Sequence, residues 1–121
     1  MDEKTLSLEV AGVLYDHKAN DIEVLKVDHL TVLCDYMIIA SGRNSNQVRA
    51  LADDVDEKMA EAGFTLRRSD GRTEGRWIVL DYGHIMVHIF CNEERSYYNL
   101  SRLWNDGTNA IDLPFSMDEN D

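Results

Sequence analysis

The chain has 121 residues, 44% hydrophobic and 29% charged, which suits one soluble globular domain with its own core. A formal net charge of −11 argues against direct binding to a phosphate backbone; it favours a basic protein partner and also serves solubility. No apolar run is long enough to cross a bilayer, no secretory signal is read, and Cys34 and Cys91 stand isolated. Reduced thiols in a cytoplasmic protein are therefore expected, not a disulfide scaffold.

Taken in order, residues 5–18 place Leu6, Val10, Val13 and Leu14 at helical spacing, with Asn20 positioned as a left-handed stop. A strand over Asp21–Val27 follows, with Ile22 and Val24 on one face. His29–Asp35 reads as a connection whose Leu30 and Val32 pack back onto the sheet. Tyr36–Ala40 is a continuous apolar run ended by Ser41-Gly42, the mark of a buried strand. Asn44 or Ser45 then caps the longest helix, whose core positions are Val48, Leu51, Ala52, Val55 and Met59, with Gly63 just past its end. Phe64–Arg68 is expected as a short strand, and Ser69–Arg76 as a charged, Gly-rich loop.

The centre of the fold is predicted at Trp77–Leu80 and Ile85–Phe90, two β-rich runs joined by Asp81-Tyr82-Gly83-His84. So short a gap forces an antiparallel hairpin, and Gly83 supplies a left-handed turn residue. Apolar residues on both faces place these strands inside a sheet covered by helices. Asn92 opens a last helix, with Glu93 and Glu94 at its positive end and an apolar stripe of Tyr97, Leu100, Leu103 and Trp104. From Asn105 the periodicity is lost, so residues 105–121 are expected to form an acidic, flexible tail beside a domain at 1–104. The order α-β-β-α-β-β-β-α predicts an α/β domain with a mixed sheet of about five strands flanked by helices.

Candidate chemistry is sparse. His84, His88 and Cys91 have a spacing that suggests zinc, but strand geometry turns Cys91 away from the two histidines, and no metal site is assigned. Ser41-Gly42 before a helix looks like a phosphate-binding turn, yet there is no G-x-G-x-x-G and no Lys-Ser/Thr pair. Asp53, Asp54 and Asp56 fan around their helix and read as a solvated face, not as a converging magnesium set. Trp77, Asp81 and Tyr82 differ in kind: aromatic residues beside a charge are the residue types of a protein interface, and Trp77 equally fits a residue that closes one end of the core.

Three stretches read together, D-Y-M-I-I-A-S-G-R-N-S-N-Q-V at 35–48, W-I-V-L-D-Y-G-H-I-M-V-H-I-F at 77–90 and E-E-R-S-Y-Y-N-L-S-R-L-W at 93–104, resemble the ribosomal silencing factor (Iojap-related) family. The similarity runs from about Leu6 to Trp104. It implies a nucleotidyltransferase-like α/β fold without the catalytic carboxylates, no enzymatic activity and no cofactor. It also implies a translational repressor that binds large-subunit ribosomal protein fourteen on the large ribosomal subunit and blocks joining of the small subunit when nutrients are short. A role in large-subunit maturation belongs to the same implication. Carried onto this chain, the partner-binding surface falls on Trp77, Asp81 and Tyr82, with acidic support from Glu93 and Glu94. Family members commonly have an acidic residue where this chain has His84. No transit-peptide-like extension is read before Leu6, so a bacterial cytoplasmic member is expected. A nucleotide-handling enzyme on the same fold is the alternative function, and a self-associating domain that forms homodimers a third.

Overall fold

Asp2 starts the first helix by accepting a hydrogen bond from Thr5 N at 2.7 Å, and the helix α1 runs over Glu3–Asp16. In the computed structural model, residues 2–98 and 100–115 are described, the side chains at 96–98, 100 and 101 excepted. Strands β1 (Asn20–Lys26) and β2 (Tyr36–Gly42) precede the helix α2 (Ser45–Glu61). Strands β3 (Arg68–Asp70), β4 (Trp77–Asp81) and β5 (Ile85–Cys91) follow, then the short helices α3 (Asn92–Tyr98) and α4 (Leu100–Trp104). The five strands form one mixed sheet in the order β1-β2-β5-β4-β3. Only β2 and β5 run parallel, Ile38 opposite Val87; every other pairing is antiparallel.

Helices α1 and α2 cover one face of this sheet. Leu6, Val10 and Leu14 of α1 and Val48, Leu51, Val55 and Met59 of α2 are buried there. They meet Val24, Ile38, Ile78, Leu80, Ile85, Val87 and Ile89 from the strands. A smaller cluster on the other face joins Leu25, Met37, Ile39 and Phe90, with Trp77, Met86 and the half-buried Trp104 against it. Arg95 of α3 fastens this side, donating to Ser41 Oγ at 2.9 Å and to Glu23 Oε2 at 2.6 Å. Cys34 and Cys91 are free and buried in different clusters, on opposite faces.

The α/β architecture, the mixed sheet and the hairpin at its centre agree with expectation; several local details do not. The left-handed residue that ends α1 is Lys18 (φ 69), not Asn20, which already pairs with Ser41 in β1. Leu30 and Val32 do not return to the sheet: Val32 is fully exposed, because two backbone bonds to Val27 O turn the connection outward. Strand β3 lies later than the expected 64–68. Phe64 and Leu66 pack half-buried against the main core, and backbone pairing with β4 starts only when Arg67 N reaches Asp81 O. Asn44, not Ser45, caps α2 by accepting from Gln47 N at 2.9 Å. Helix covers Asn92–Tyr98 and Leu100–Trp104, and Leu103 is exposed, so it belongs to no buried stripe; the side chains of Tyr97 and Leu100 lie outside the described residues.

The stretch from Asn105 was expected to be a flexible tail, but its first part, through Phe115, lies along the domain. Asn109 Nδ2 donates to Lys26 O and Trp104 O, each at 2.8 Å, and Ala110 bridges Leu25 on the outer edge of β1. Ile111, Leu113 and Phe115 then pack on the main core, Phe115 stacked on Tyr15 with ring centroids 4.2 Å apart. Three apolar residues spaced by two carry this docking, a pattern hidden among polar neighbours. Residues 116–121, with the terminal acidic group, lie outside the described residues.

Candidate functional site

Strand β4 divides its residues by parity. Ile78 and Leu80 point into the main core, whereas Trp77, Val79 and Asp81 share the opposite face. Trp77 and Asp81 thus stand about 13 Å apart on one strip, with half-exposed Val79 between them and Met86 beside Asp81 on the neighbouring strand.

Trp77 is half-buried. Its ring stacks on Phe90 at a centroid distance of 4.9 Å, and its Nε1–H donates to His88 Nδ1 at 3.1 Å. Indole nitrogen only donates, so His88 must accept through Nδ1 and carry its proton on Nε2. Burial also pushes the His88 pKa down to about 4, so the ring is neutral at pH 7. Its Nε2–H is buried with no hydrogen-bond partner among the described residues.

The segment before Trp77 brings acid to the anchor. Arg76 Nε donates to Glu94 Oε1 at 2.6 Å, and its Nη2 lies 3.4 Å from Glu93 Oε2, which ties the start of α3 to the start of β4. Glu94, Glu74, Arg76, Trp77 and Gly71 line one cleft of about 260 Å³. Gly71 has φ +86, and a Cβ there would sit 2.0 Å from Trp77 O. Only glycine lets the loop pass so close over the anchor's backbone. Glu94 is largely covered, whereas the Glu93 side chain is 86% exposed and open to a partner.

At the other end of β4, Asp81 is half-exposed, and its Oδ1 accepts from Gly83 N at 2.8 Å, which holds the turn. Tyr82 lies elsewhere. It is 5% exposed, belongs to the main core, and donates its hydroxyl to Asp56 Oδ1 of α2 at 2.7 Å. Burial, with the Asp56 carboxylate beside it, holds its phenol far above the usual range. Of the five residues named from the sequence, Trp77 and Glu94 line one cleft, Glu93 lies beside it on the far side of Arg76, and Asp81 shares the strip of Trp77. Tyr82 is turned to the opposite side of the sheet. Val79, Met86 and His88 complete the strip and were not named with it; the alternation of β4 and β5 was the available signal.

The carboxylates of α2 diverge. Asp53 pairs with Arg72 at 2.9 Å, Asp54 lies 3.6 Å from His17, and Asp56 is taken by Tyr82. The Ser41-Gly42 turn completes β2 and leads to a helix start already capped by Asn44.

Comparison with known proteins decides the family. A profile described as "Ribosomal silencing factor during starvation" matches residues 1–121. The chain belongs to the ribosomal silencing factor family. It is 35% identical over 119 residues to "Ribosomal silencing factor RsfS" of Bacillus subtilis, covering 98% of this chain and 100% of that protein. A protein of the same name from Zymomonas mobilis is 36% identical over 116 residues, covering 96% of this chain and 86% of that one. The match also reaches "Protein Iojap-related, mitochondrial" of Arabidopsis thaliana, at 31% identity across 86% of this chain and 59% of that protein. A crystal structure from Chromobacterium violaceum superposes with a TM-score of 0.83 at 32% identity, covering 99% of this chain and 98% of that chain. One from Bacillus halodurans gives 0.77 at 29%, covering 93% and 100%. Family membership therefore extends past Trp104 into the docked segment. No helix among the described residues is long and apolar enough to cross a membrane.

Proposed function

We propose that this family member silences translation in the bacterial cytoplasm without catalysis. It binds the large ribosomal subunit through large-subunit ribosomal protein fourteen and bars the small subunit by occupying the intersubunit surface. The observation that carries the reading is the half-exposed Trp77 with Glu93 and Glu94 at one end of a sheet strip and Asp81 at the other. An aromatic anchor with an acidic rim on a chain of net charge −11 is complementary to a basic ribosomal protein. Tyr82, buried against α2 and bonded to Asp56, lies outside this surface. The divergence of Asp53, Asp54 and Asp56 favours a binding role over nucleotide chemistry, which needs carboxylates that converge on a metal.

Co-sedimentation with purified subunits tests this. The chain pellets with large but not small subunits, and Glu93→Lys together with Asp81→Lys abolishes pelleting. The association weakens as salt rises, because exposed charges are screened within about 8 Å at physiological ionic strength. Absence of pelleting at low salt refutes the proposal.

A further inference from the structure

Beside the Tyr82-Gly83-His84 turn, three ligating side chains from distant parts of the chain converge. His84 Nδ1 lies 2.8 Å from Asp35 Oδ2 and 3.5 Å from Glu3 Oε2, and the three atoms lie within 4.8 Å of one another. Asp35 and His84 are 49 residues apart, but the sheet locks them together: His84 O accepts from Asp35 N at 2.8 Å and Tyr36 N at 3.1 Å. Glu3 is placed by the first turn of α1, which Asp2 caps.

We propose that Glu3, Asp35 and His84 form a binding site for one divalent transition ion of the zinc class, which clips the start of α1 to the central hairpin. Ligand bonds of about 2.1 Å around a tetrahedral ion put neighbouring donor atoms roughly 3.4 Å apart, so the observed spacings close on an ion with small side-chain movements. Nδ1 carries one proton at most, the Asp35 contact uses it, and Glu3 at 3.5 Å is beyond good hydrogen-bond length. An ion displaces that proton and serves all three donors. Imidazole with carboxylates suits zinc better than magnesium or calcium. His84 is exposed, and it borders a shallow cavity of about 300 Å³ that leaves room for water at the fourth position.

A second histidine shows why geometry, not composition, makes the site. His29 also has two carboxylates, but Asp28 faces Nδ1 at 3.6 Å and Asp106 faces Nε2 at 2.7 Å. Carboxylates on opposite ring nitrogens cannot share one ion. At His84 both face the same nitrogen.

The test is titration of the full chain with zinc chloride by calorimetry, with thermal melting in parallel. Wild type binds one zinc ion per chain and melts at higher temperature with zinc, since an ion held by the folded state alone stabilises it. His84→Ala, an exposed change that the fold tolerates, and Asp35→Asn each weaken binding at least tenfold and remove the melting shift. His29→Ala behaves as wild type, and magnesium gives no comparable heat. Absence of zinc binding, undiminished binding by His84→Ala, or an equal loss in His29→Ala overturns the proposal. Ribosome binding enters none of these readouts, so the site stands or falls independently of the silencing function.

Discussion

Trp77 and Tyr82 bracket one strand of the central hairpin, yet they live on opposite sides of the sheet. Tyr82 is enclosed by the helix-covered core, and its hydroxyl is spent on Asp56. Trp77 lies on a thinner cluster, stacked on Phe90 and bonded to His88, with part of its ring open beside Glu94. An odd separation along an extended chain reverses the face. The same hairpin therefore gives one aromatic to the core and leaves the other on the face of the proposed interface. The difference teaches that a partner surface is read from strand parity and from what already covers each face, not from residue type.

The sharpest way to break this comparison is Tyr82→Ala. Removing a buried aromatic should cost roughly 3–5 kcal/mol of folding stability, seen in urea unfolding, while the refolded fraction binds large subunits normally. Trp77→Ala should reverse the pattern. Subunit affinity falls by about 2–4 kcal/mol, and stability by only about 1–2 kcal/mol, because the ring is half-exposed yet stacked. If Trp77→Ala unfolds as readily as Tyr82→Ala and binds as wild type once folded, the two sides have been assigned the wrong way round.

Acidity probes the Trp77 side. His88 has a folded pKa of about 4, below the unfolded value of about 6.5, so between these limits the unfolded chain binds more protons. Its stabilising contribution is therefore complete above pH 6.5 and is lost as pH falls towards 4, on the order of 2–3 kcal/mol. His88→Gln keeps an acceptor for Trp77 Nε1 but cannot titrate. The difference in stability between wild type and this variant should shrink or reverse across that window; a difference flat in pH would remove His88 as the titrating group. The smallest effect is that of Tyr82→Phe, which retains the packing and deletes only the bond to Asp56. A loss of about 1–2 kcal/mol in urea unfolding is expected, with ribosome binding untouched.

The strip of the proposed interface was partly legible. Trp77 and Asp81 are four residues apart, an even separation, so a strand alone puts them on one face; Glu93 and Glu94 were legible as a helix start. Tyr82 was misplaced because residue type suggested an interface, whereas its position past the strand end turns it towards α2. Neither Arg76 reaching Glu94 nor Asp56 meeting Tyr82 could be read locally, since each joins elements distant along the chain.

Local patterning determined the first two helices, the hairpin and the acidic balance, because periodicity and charge are properties of neighbouring residues. Even the mixed sheet followed from element order. The tertiary structure alone decided that β2 lies parallel to β5 and that residues after Trp104 return to seal the β1 edge. It also decided which nitrogen of each histidine faces its carboxylates. Those outcomes depend on distant segments competing to bury the same apolar surface and to satisfy the same backbone groups. No window along the chain contains both competitors.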